Sequence, residues 1–233
     1  MADLHLDSAT PTTYDLALRF LGFAQSHDHL YILGDLFEYW LGDDAGIPAH
    51  ARFIDALAQL SQNGCGLTVM LGNRDFLLGE DFAKATHANL VTKDELLIKL
   101  GDSHAVLMHG DTLCTDDTDY QKFRSVVRQA AWQQNFLSQS IEERVRLAQA
   151  LRTASIEANA DKQSQIMDVN AVAVSECVQT THCSVLIHGH THRPATHPLP
   201  AVEATRYVLG DWHPSHAKYL HWSETGFELA EFN

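Results

Sequence analysis

Short apolar runs that end in glycine or in a polar residue recur along the chain. Four of them span residues 29–33, 67–71, 104–108 and 183–187. Residues 53–60, between the first two runs, carry apolar side chains at helical spacing. Continuous apolar runs of this length are typical of buried strands, and their alternation with helices indicates an α/β fold. Residues 205–232 alternate less regularly and are expected to form a terminal set of strands.

The pattern changes between residues 120 and 178, where glycine and proline are absent. Apolar side chains in this span fall at helical spacing, as in Ile141, Val145, Ala148 and Leu151. We interpret the span as a helical insertion, a lid, between two core strands. The sequence therefore predicts a core formed by residues 1–119 and 179–233 and a lid formed by residues 120–178.

Charge separates the lid from the core. The whole chain has 16 Lys and Arg against 30 Asp and Glu, a net charge of −14, whereas residues 120–162 hold seven cationic and four anionic side chains. The lid is therefore either an ordinary solvated helix surface or a cap that meets an anionic ligand. The negative total argues against non-specific binding of nucleic acid, which depends on neutralising phosphates.

Apolar runs, the N-terminal residues and the cysteines indicate the cellular compartment. No apolar run reaches the ~18 residues of a membrane-spanning helix, and residues 1–5 have neither the basic nor the apolar part of a signal peptide. The four cysteines have no paired spacing, which is typical of reduced thiols in the cytoplasm. We expect a cytoplasmic protein. Its fifteen histidines are unusually many, and histidine is the commonest metal ligand.

Each of the four apolar runs is followed by a side chain that can bind a metal. Loops at the carboxyl ends of strands in an α/β sheet meet in one crevice. The candidates there, with two more from the N-terminus, are Asp35, Asn73, His109, His188, His190, Asp3 and His5. A mixed nitrogen and oxygen set favours Mn, Fe or Zn over Ca or Mg. Seven ligands are too many for one metal and suit two metals that share a carboxylate.

The histidine-rich segment after the fourth run contributes two of these candidates. We expect His188 and His190 to lie on one side of an extended segment, with His192 in the turn that follows. Taken singly, none of the short motifs is specific. Their occurrence in this order, each after a predicted strand, makes the joint signal strong.

These motifs together resemble those of the calcineurin-like binuclear metallophosphoesterases. The segments that carry the resemblance are Asp3-Leu4-His5, Gly34-Asp35, Gly72-Asn73-Arg74-Asp75, His109-Gly110-Asp111 and Gly189-His190-Thr191-His192. The resemblance implies a four-layer αββα sandwich with two divalent metal ions, expected to be Mn²⁺, at the strand ends. It implies one metal held by Asp3, His5, Asp35 and His190, and a second held by Asp35, Asn73, His109 and His188.

Longer segments narrow the resemblance to one subfamily. They are residues 31–38, 42–44, 72–79, 109–117, 166–170 and 188–194, similar to the enzymes that hydrolyse the pyrophosphate of UDP-2,3-diacylglucosamine in lipid A biosynthesis. The resemblance implies UMP and 2,3-diacylglucosamine 1-phosphate as products of attack at the α-phosphorus. It implies a lipid-linked nucleotide as partner and peripheral attachment to the cytoplasmic face of the inner membrane. The substrate contacts it implies are Asn73, Arg74, Asp117, Tyr120, Arg152, Ser155, Asn159, Lys162 and His188.

The chemistry of two groups supports this interpretation. Arg74 takes the position where many relatives have histidine; a guanidinium binds phosphate oxygens but is a poor proton donor, which suits a weakly basic phosphate leaving group. The alternative for Arg74 is a simple ion pair with Asp75. Ser155, Asn159 and Lys162 stand at i, i+4 and i+7, so a helix would present them on one face.

Some questions stay open at this point. Relatives place a buried strand before the Asp-x-His segment, and only Met1-Ala2 precede Asp3 here, so Asp3 and His5 are expected to be poorly anchored. A second possible function keeps the dinuclear site but acts on another nucleotide diphosphate or phosphodiester. A third is a metal-binding module without activity. The sequence does not predict an oligomeric state.

Overall fold

The computed structural model describes residues 1–7, 10–160 and 168–233, with the side chains of 155–160 excepted. Its strands are β1 (His29–Leu33), β2 (Gly66–Met70), β3 (Asn89–Val91), β4 (Leu96–Leu100), β5 (Ser103–Met108), β6 (Val185–His188), β7 (Ala195–Leu199), β8 (Ala204–Val208), β9 (Ala217–Ser223) and β10 (Gly226–Phe232). Its α-helices are α1 (Pro11–Ala24), α2 (Asp43–Ala49), α3 (Ala51–Gln62), α4 (Glu80–Thr86), α5 (Thr118–Val127), α6 (Ala130–Leu137), α7 (Ile141–Ala160) and α8 (Ala171–Thr181).

The strands form two main sheets. The first is parallel, in the order β1-β2-β3. The second has the order β4-β5-β6-β8-β7, in which β5, β6 and β8 run parallel and the edge strands β4 and β7 run antiparallel to their neighbours. Strands β9 and β10 pair as an antiparallel hairpin. The four predicted apolar runs correspond to β1, β2, β5 and β6.

Three apolar clusters show how the layers stack. The inner faces of the two sheets meet through side chains such as Leu33 and Met70 from the first sheet and Leu107 and Ile187 from the second. Helices α1, α3 and α4 bury their apolar faces on the outside of the first sheet, and α8 buries Val174 and its neighbours on the outside of the second. This order of layers confirms the predicted αββα sandwich.

In the described residues, the span predicted as the lid consists of helices joined by short turns. Helices α5, α6 and α7, which we call the lid helices, come after β5 and a short 3-10 turn at Asp111–Leu113. Arg144 of α7 fastens them to the core: it is 3% exposed, and its guanidinium contacts both carboxylate oxygens of Asp44 and the carbonyl oxygen of Leu41. Helix α8 also lies in the predicted span but packs on the second sheet. The division into a core and a lid stays a prediction.

The N-terminal segment around Asp3 is anchored by hydrogen bonds, although only two residues precede Asp3. The carbonyl of Met1 accepts a hydrogen bond from the Leu33 amide at 2.8 Å, and the Asp3 amide donates to the Gly34 carbonyl at 3.1 Å. The segment thus runs alongside β1 and its following loop, and Asp3 is fully buried. No helix in the described parts of the chain is long and apolar enough to cross a membrane.

Candidate metal centre

The site lies where β1, β2, β5 and β6 end. Loops that follow these strands carry Asp35, Asn73, His109 and His190, and the N-terminal segment adds Asp3 beside them. The carboxyl ends of parallel strands form the ligand crevice of an α/β sheet, which explains why residues far apart in sequence meet here.

Asp35 stands at the centre of the site. Its Oδ1 accepts a hydrogen bond from the Arg74 amide at 2.8 Å and lies 3.7 Å from Nε2 of His109. Its Oδ2 lies 3.9 Å from Nε2 of His5. The two carboxylate oxygens therefore face different imidazoles, which is the arrangement that a carboxylate shared by two cations requires.

Asp75 fixes the loop that carries Asp35. Its buried carboxylate accepts hydrogen bonds from the amides of Leu36 at 2.7 Å and Gly72 at 2.8 Å, with the Asp35 amide at 3.3 Å. Burial raises the pKa of Asp75 to about 6, with a further contribution from the charge of Asp35. Asp75 is therefore occupied by backbone groups, and the alternative in which it pairs with the Arg74 side chain is wrong: Arg74 Nη1 contacts Glu38 Oε1 at 3.3 Å instead.

One group of candidate ligands consists of Asp3, His5 and His192, whose ligand atoms lie within 4.8 Å of one another. Nε2 of His192 is 3.2 Å from Nε2 of His5 and 3.4 Å from Oδ1 of Asp3. That Oδ1 is buried and has no hydrogen bond. A buried carboxylate oxygen without a donor is costly in a folded protein, and a cation held with the two imidazoles would relieve that cost.

A second group forms around Asn73. Its Oδ1 lies 2.7 Å from Nε2 of His109 and 2.9 Å from Nδ1 of His190. His109 is oriented by the contact of its Nδ1 with the Leu33 carbonyl at 2.9 Å. Asp35 and Asp3 share a second cluster of ligand atoms with His109. The donors of both groups are nitrogen and oxygen only, so the residues present fit two divalent cations with mixed ligands.

The structure therefore brings together Asp3, His5, Asp35, Asn73, His109 and His190, but it differs from the sequence-based expectation in how it uses the three histidines of the last loop. The backbone amide of His190 donates to Oδ2 of Asp3 at 2.9 Å, as expected for a residue beside Asp3, whereas its ring lies against Asn73 and His109. His192, which was not among the predicted ligands, lies against Asp3 and His5.

His188 is a predicted ligand that neither group includes; its Nε2 is buried without a hydrogen-bond partner, so its role as a ligand stays a prediction. It ends β6, is fully buried, and its Nδ1 lies 2.8 Å from the Gly189 carbonyl. Burial lowers its pKa to about 4. The backbone of this loop departs from an extended conformation, because φ is +68° at His190 and +53° at His192. A left-handed residue ends the alternation of side chains in an extended segment. The side chains after His188 are therefore not held on the face that alternation predicts.

Strained backbone is concentrated at this site. Positive φ values occur at Asp3 (56°), His5 (48°) and Asp35 (50°) as well as at His190 and His192. Such conformations cost free energy in residues other than glycine, and they cluster where the surrounding structure holds a functional geometry.

The electrostatics of the site favour cations. Burial lowers the pKa of His109, but the carboxylates of Asp35, Asp3 and Asp111 more than offset it and raise that pKa to about 9. Burial together with the neighbouring charge of His109 lowers the pKa of His190 to about 4. The carboxylates thus stabilise positive charge at one end of the site while His190 offers a neutral nitrogen.

Three of the predicted substrate contacts, besides Asn73 and Arg74, have described side-chain contacts near the site. Arg152 of α7 reaches Glu38, where its Nη1 lies 2.6 Å from Oε1. The hydroxyl of Tyr120 donates to Asp111 at 2.6 Å, and its ring centroid is 5.9 Å from that of His190. Asp117 begins α5, where its side chain accepts from the Tyr120 amide.

The three polar residues predicted on one helix face cannot be placed in the same detail. Ser155 and Asn159 belong to α7, but their side chains lie outside the described atoms, and Lys162 lies outside the described residues. Besides His192, Glu38 is a polar residue at the site that the sequence interpretation missed. Its signal was weak, since it is a single glutamate whose partners come from distant parts of the chain.

Comparison with known proteins gives a consistent result. The family model described as calcineurin-like phosphoesterase matches residues 1–194. A curated relative from Aromatoleum aromaticum named UDP-2,3-diacylglucosamine hydrolase is 45% identical over 99% of this chain and 94% of its own length. A relative of the same name from Sodalis glossinidius is 44% identical over 100% of this chain and 97% of its own.

One solved structure supports the fold. A dimetal phosphatase from Danio rerio superposes with a TM-score of 0.51 at 12% sequence identity, covering 100% of this chain and 96% of that one.

Proposed function

The chain belongs to the calcineurin-like phosphoesterase family, and we propose that it hydrolyses the pyrophosphate of UDP-2,3-diacylglucosamine to UMP and 2,3-diacylglucosamine 1-phosphate. The observation that carries this function is the near-complete match, at 44–45% identity, to relatives that bear the name of this activity. The reaction belongs to lipid A biosynthesis. The nitrogen and oxygen groups at the strand ends supply a site suited to such chemistry.

The metals are divalent, and imidazole, carboxylate and amide donors without thiolate suit Mn, Fe or Zn; we propose Mn²⁺ because the family resemblance implies it. Asp3, His5, Asp35 and His192 would hold one ion, and Asp35, Asn73, His109 and His190 the other. This set exchanges His188 for His192 relative to the sequence-based expectation. Bound there, the two ions would lower the pKa of a water and neutralise charge on phosphoryl oxygens.

The proposed reaction breaks the pyrophosphate bond, and Arg74 is the side chain proposed to stabilise the leaving group. Water attacks the α-phosphorus, the bond from that phosphorus to the bridging oxygen breaks, and the sugar phosphate leaves. A guanidinium is a poor proton donor, so Arg74 is proposed to stabilise the leaving oxygens by charge and hydrogen bonds rather than by protonation. Its backbone amide already holds Asp35. A phosphate monoester is a weak base, so it departs without a strong acid.

Substrate recognition is assigned to the lid helices and the adjoining loops. Arg152 faces the same carboxylate as Arg74, so two guanidinium groups stand on one side of the site and suit a diphosphate. Ser155 and Asn159 come later in α7, and together with Lys162, which lies outside the described residues, they are proposed to contact the sugar. Asp117, Tyr120 and His188 are proposed to support this pocket through the contacts they make at its edge.

We also propose that the protein works at the cytoplasmic face of the inner membrane, because its substrate carries two acyl chains. The lid helices expose large apolar side chains, which favours contact with a lipid surface. These are Phe123, Val126, Leu137, Ile141 and Leu151. Sedimentation with vesicles of anionic lipid tests the attachment: the protein is expected to co-sediment, and Phe123→Ser with Val126→Ser to weaken it.

The function is tested by turnover of matched substrates. The purified protein with Mn²⁺ is expected to release UMP from UDP-2,3-diacylglucosamine and to act far more slowly on UDP-glucose and on a simple phosphodiester. Replacing Ser155, Asn159 and Lys162 by alanine should reduce turnover of the lipid substrate. Equal rates on all three substrates, unaffected by those replacements, would support a phosphoesterase of another specificity instead.

Repeating the assay on metal-free protein with Mn²⁺, Mg²⁺, Zn²⁺ or Ca²⁺ added back tests the ion. The assignment requires the highest rate with Mn²⁺.

A further inference from the structure

Glu38 occupies a junction between three parts of the site. Its side chain is only 12% exposed. Oε2 lies 3.3 Å from Nδ1 of His5, and Oε1 lies 3.3 Å from Nη1 of Arg74 and 2.6 Å from Nη1 of Arg152. One carboxylate therefore contacts a proposed metal ligand, a proposed phosphate-binding arginine and a lid helix at the same time.

We propose that Glu38 is a positioning residue that orients His5 for metal binding and clasps the lid helix α7 over the site by holding Arg152 beside Arg74. This inference rests on the proposed function for the roles of the two arginines. Its part concerning His5 depends only on metal binding.

Glu38 lies behind the imidazole of His5, at an ion-pair distance of 3.3 Å from Nδ1, a buried nitrogen that has no hydrogen-bond partner. With Nδ1 turned to Glu38, Nε2 faces Oδ2 of Asp35 at 3.9 Å and Nε2 of His192 at 3.2 Å. A carboxylate behind a metal-binding histidine sets the tautomer and the ring orientation, and its loss typically weakens metal binding 10- to 100-fold. Glu38 is placed to do this for His5.

The contacts with the two arginines bring like charges together. Arg74 follows β2, whereas Arg152 comes from α7, and both reach the same oxygen of Glu38. Two guanidinium groups on one carboxylate oxygen repel each other, and the negative charge between them offsets that repulsion. Each contact uses one Nη1 nitrogen, and a guanidinium has five N–H donors, so donors of both groups remain for phosphoryl oxygens. The result is a pair of cations spaced by Glu38.

The backbone holds Glu38 in place for this task. The Glu38 amide donates to the Leu6 carbonyl at 3.1 Å, and the preceding Phe37 is fully buried and bridges to Leu6. A carboxylate on a rigid segment loses little conformational freedom when it engages three partners. Glu38 is therefore the fixed side of the clasp, to which Arg152 of α7 is joined.

The experiment compares Glu38→Gln with Glu143→Gln. The control makes the same chemical change at a glutamate that also pairs with an arginine, Arg146 at 2.6 Å, but on the outer surface of the lid. Three quantities are measured: Mn²⁺ affinity of the metal-free chain by calorimetric titration, hydrogen exchange of amides 141–154, and the KM and kcat of UMP release at saturating Mn²⁺.

Glu38→Gln is expected to bind Mn²⁺ 10- to 100-fold more weakly and to exchange faster in α7. Its KM should rise about tenfold or more, with a smaller fall in kcat once the metals are saturated. Glu38→Asp keeps the charge and should recover part of each effect, and Glu143→Gln should match the unmodified protein. Arg152→Gln should raise KM on its own and add little when combined with Glu38→Gln.

The inference is overturned if Glu38→Gln binds Mn²⁺ normally and keeps its KM, or if the effects of Arg152→Gln and Glu38→Gln multiply. If Glu38→Gln does not fold, Glu38→Asp and the single Arg152→Gln variant decide by the same measurements. An unmodified protein that releases no UMP while Glu38→Gln still weakens Mn²⁺ binding would refute the proposed function and support the part of the inference that concerns His5.

Discussion

Replacing His192 by asparagine is expected to weaken binding of the ion held with Asp3 and His5, whereas replacing His188 by asparagine is expected to cost stability and leave metal binding intact. His192 contributes Nε2 to the group with Asp3 and His5. His188 belongs to neither ligand group, and its Nδ1 faces the Gly189 carbonyl. The two histidines stand four positions apart in one short segment, so the pair of variants separates two ligand assignments.

The expected magnitudes follow from exposure and contacts. Loss of a residue behind a ligand weakens metal affinity 10- to 100-fold, so His192→Asn should weaken it at least about 100-fold, or about 2.8 kcal/mol. Its side chain is 37% exposed, so little folding stability is at stake. His188→Asn removes a fully buried ring and one hydrogen bond, at roughly 1 kcal/mol for the bond and 1–2 kcal/mol for packing. That should lower Tm by about 4–12 °C.

The assay titrates each metal-free variant with Mn²⁺ in a calorimeter and records Tm in the presence of a chelator, so that bound metal does not stabilise the fold. His50→Asn is the matched control. His50 is buried and its ring packs 4.4 Å from that of Phe37 in the apolar core, so this variant should lose stability and keep Mn²⁺ affinity. Weak binding by His188→Asn with normal binding by His192→Asn would refute the reasoning and restore the ligand set expected from sequence.

Three further predictions concern the bridging carboxylate, pH and the lid. A Cβ at Gly72 would lie 2.1 Å from Oδ1 of Asp35, so Gly72→Ala should displace that carboxylate and reduce UMP release at least about 100-fold; a rate within threefold of normal would contradict this. Below its pKa of about 9, His109 must release a proton before it binds a cation. The Mn²⁺ affinity should therefore rise about tenfold per pH unit between pH 6 and 8. An affinity that does not change with pH in calorimetric titrations would contradict this. Arg144→Ala should cost roughly 1–3 kcal/mol through its lost contacts with Asp44 and speed hydrogen exchange in the lid helices without changing Mn²⁺ affinity; unchanged exchange would mean that this pair does not fasten the lid.

The strands that carry the site were predictable because burial leaves a strong local mark. Strands buried on both faces read as continuous apolar runs, and within three residues after the end of β1, β2, β5 and β6 a glycine stands next to a candidate metal ligand. The short edge strands β3, β4 and β7 alternate or contain polar residues, and the apolar pattern did not identify them. The order of the helix and sheet layers was then expected from the resemblance to the metallophosphoesterase family.

The use of the histidines was not predictable from alternation. The expectation for His188 and His190 assumed that the chain stays extended through the last loop, but the structure has positive φ at His190 and His192. Sequence gives no simple signal for a left-handed histidine, because the conformation is imposed by neighbouring groups such as Asp3, whose Oδ2 accepts from the His190 amide at 2.9 Å. Contacts of this kind join distant parts of the chain.

The contacts of Glu38 and Arg144 were likewise not predictable from the sequence. Each makes its defining contact with a residue far away in sequence, Arg152 in one case and Asp44 in the other. An isolated charged residue on a predicted loop or helix is usually solvated, so neither was distinguishable from an ordinary surface residue. Their roles depend on how the lid lies against the core, which periodicity does not specify.

The most direct test of the central claim is release of UMP from UDP-2,3-diacylglucosamine in ¹⁸O-water, before and after chelation and Mn²⁺ add-back. Attack at the α-phosphorus predicts UMP that carries one ¹⁸O, produced only when the metal is restored, together with unlabelled 2,3-diacylglucosamine 1-phosphate. Bound Mn²⁺ without UMP release would contradict the assigned activity, and label in the sugar phosphate would contradict the assigned point of attack.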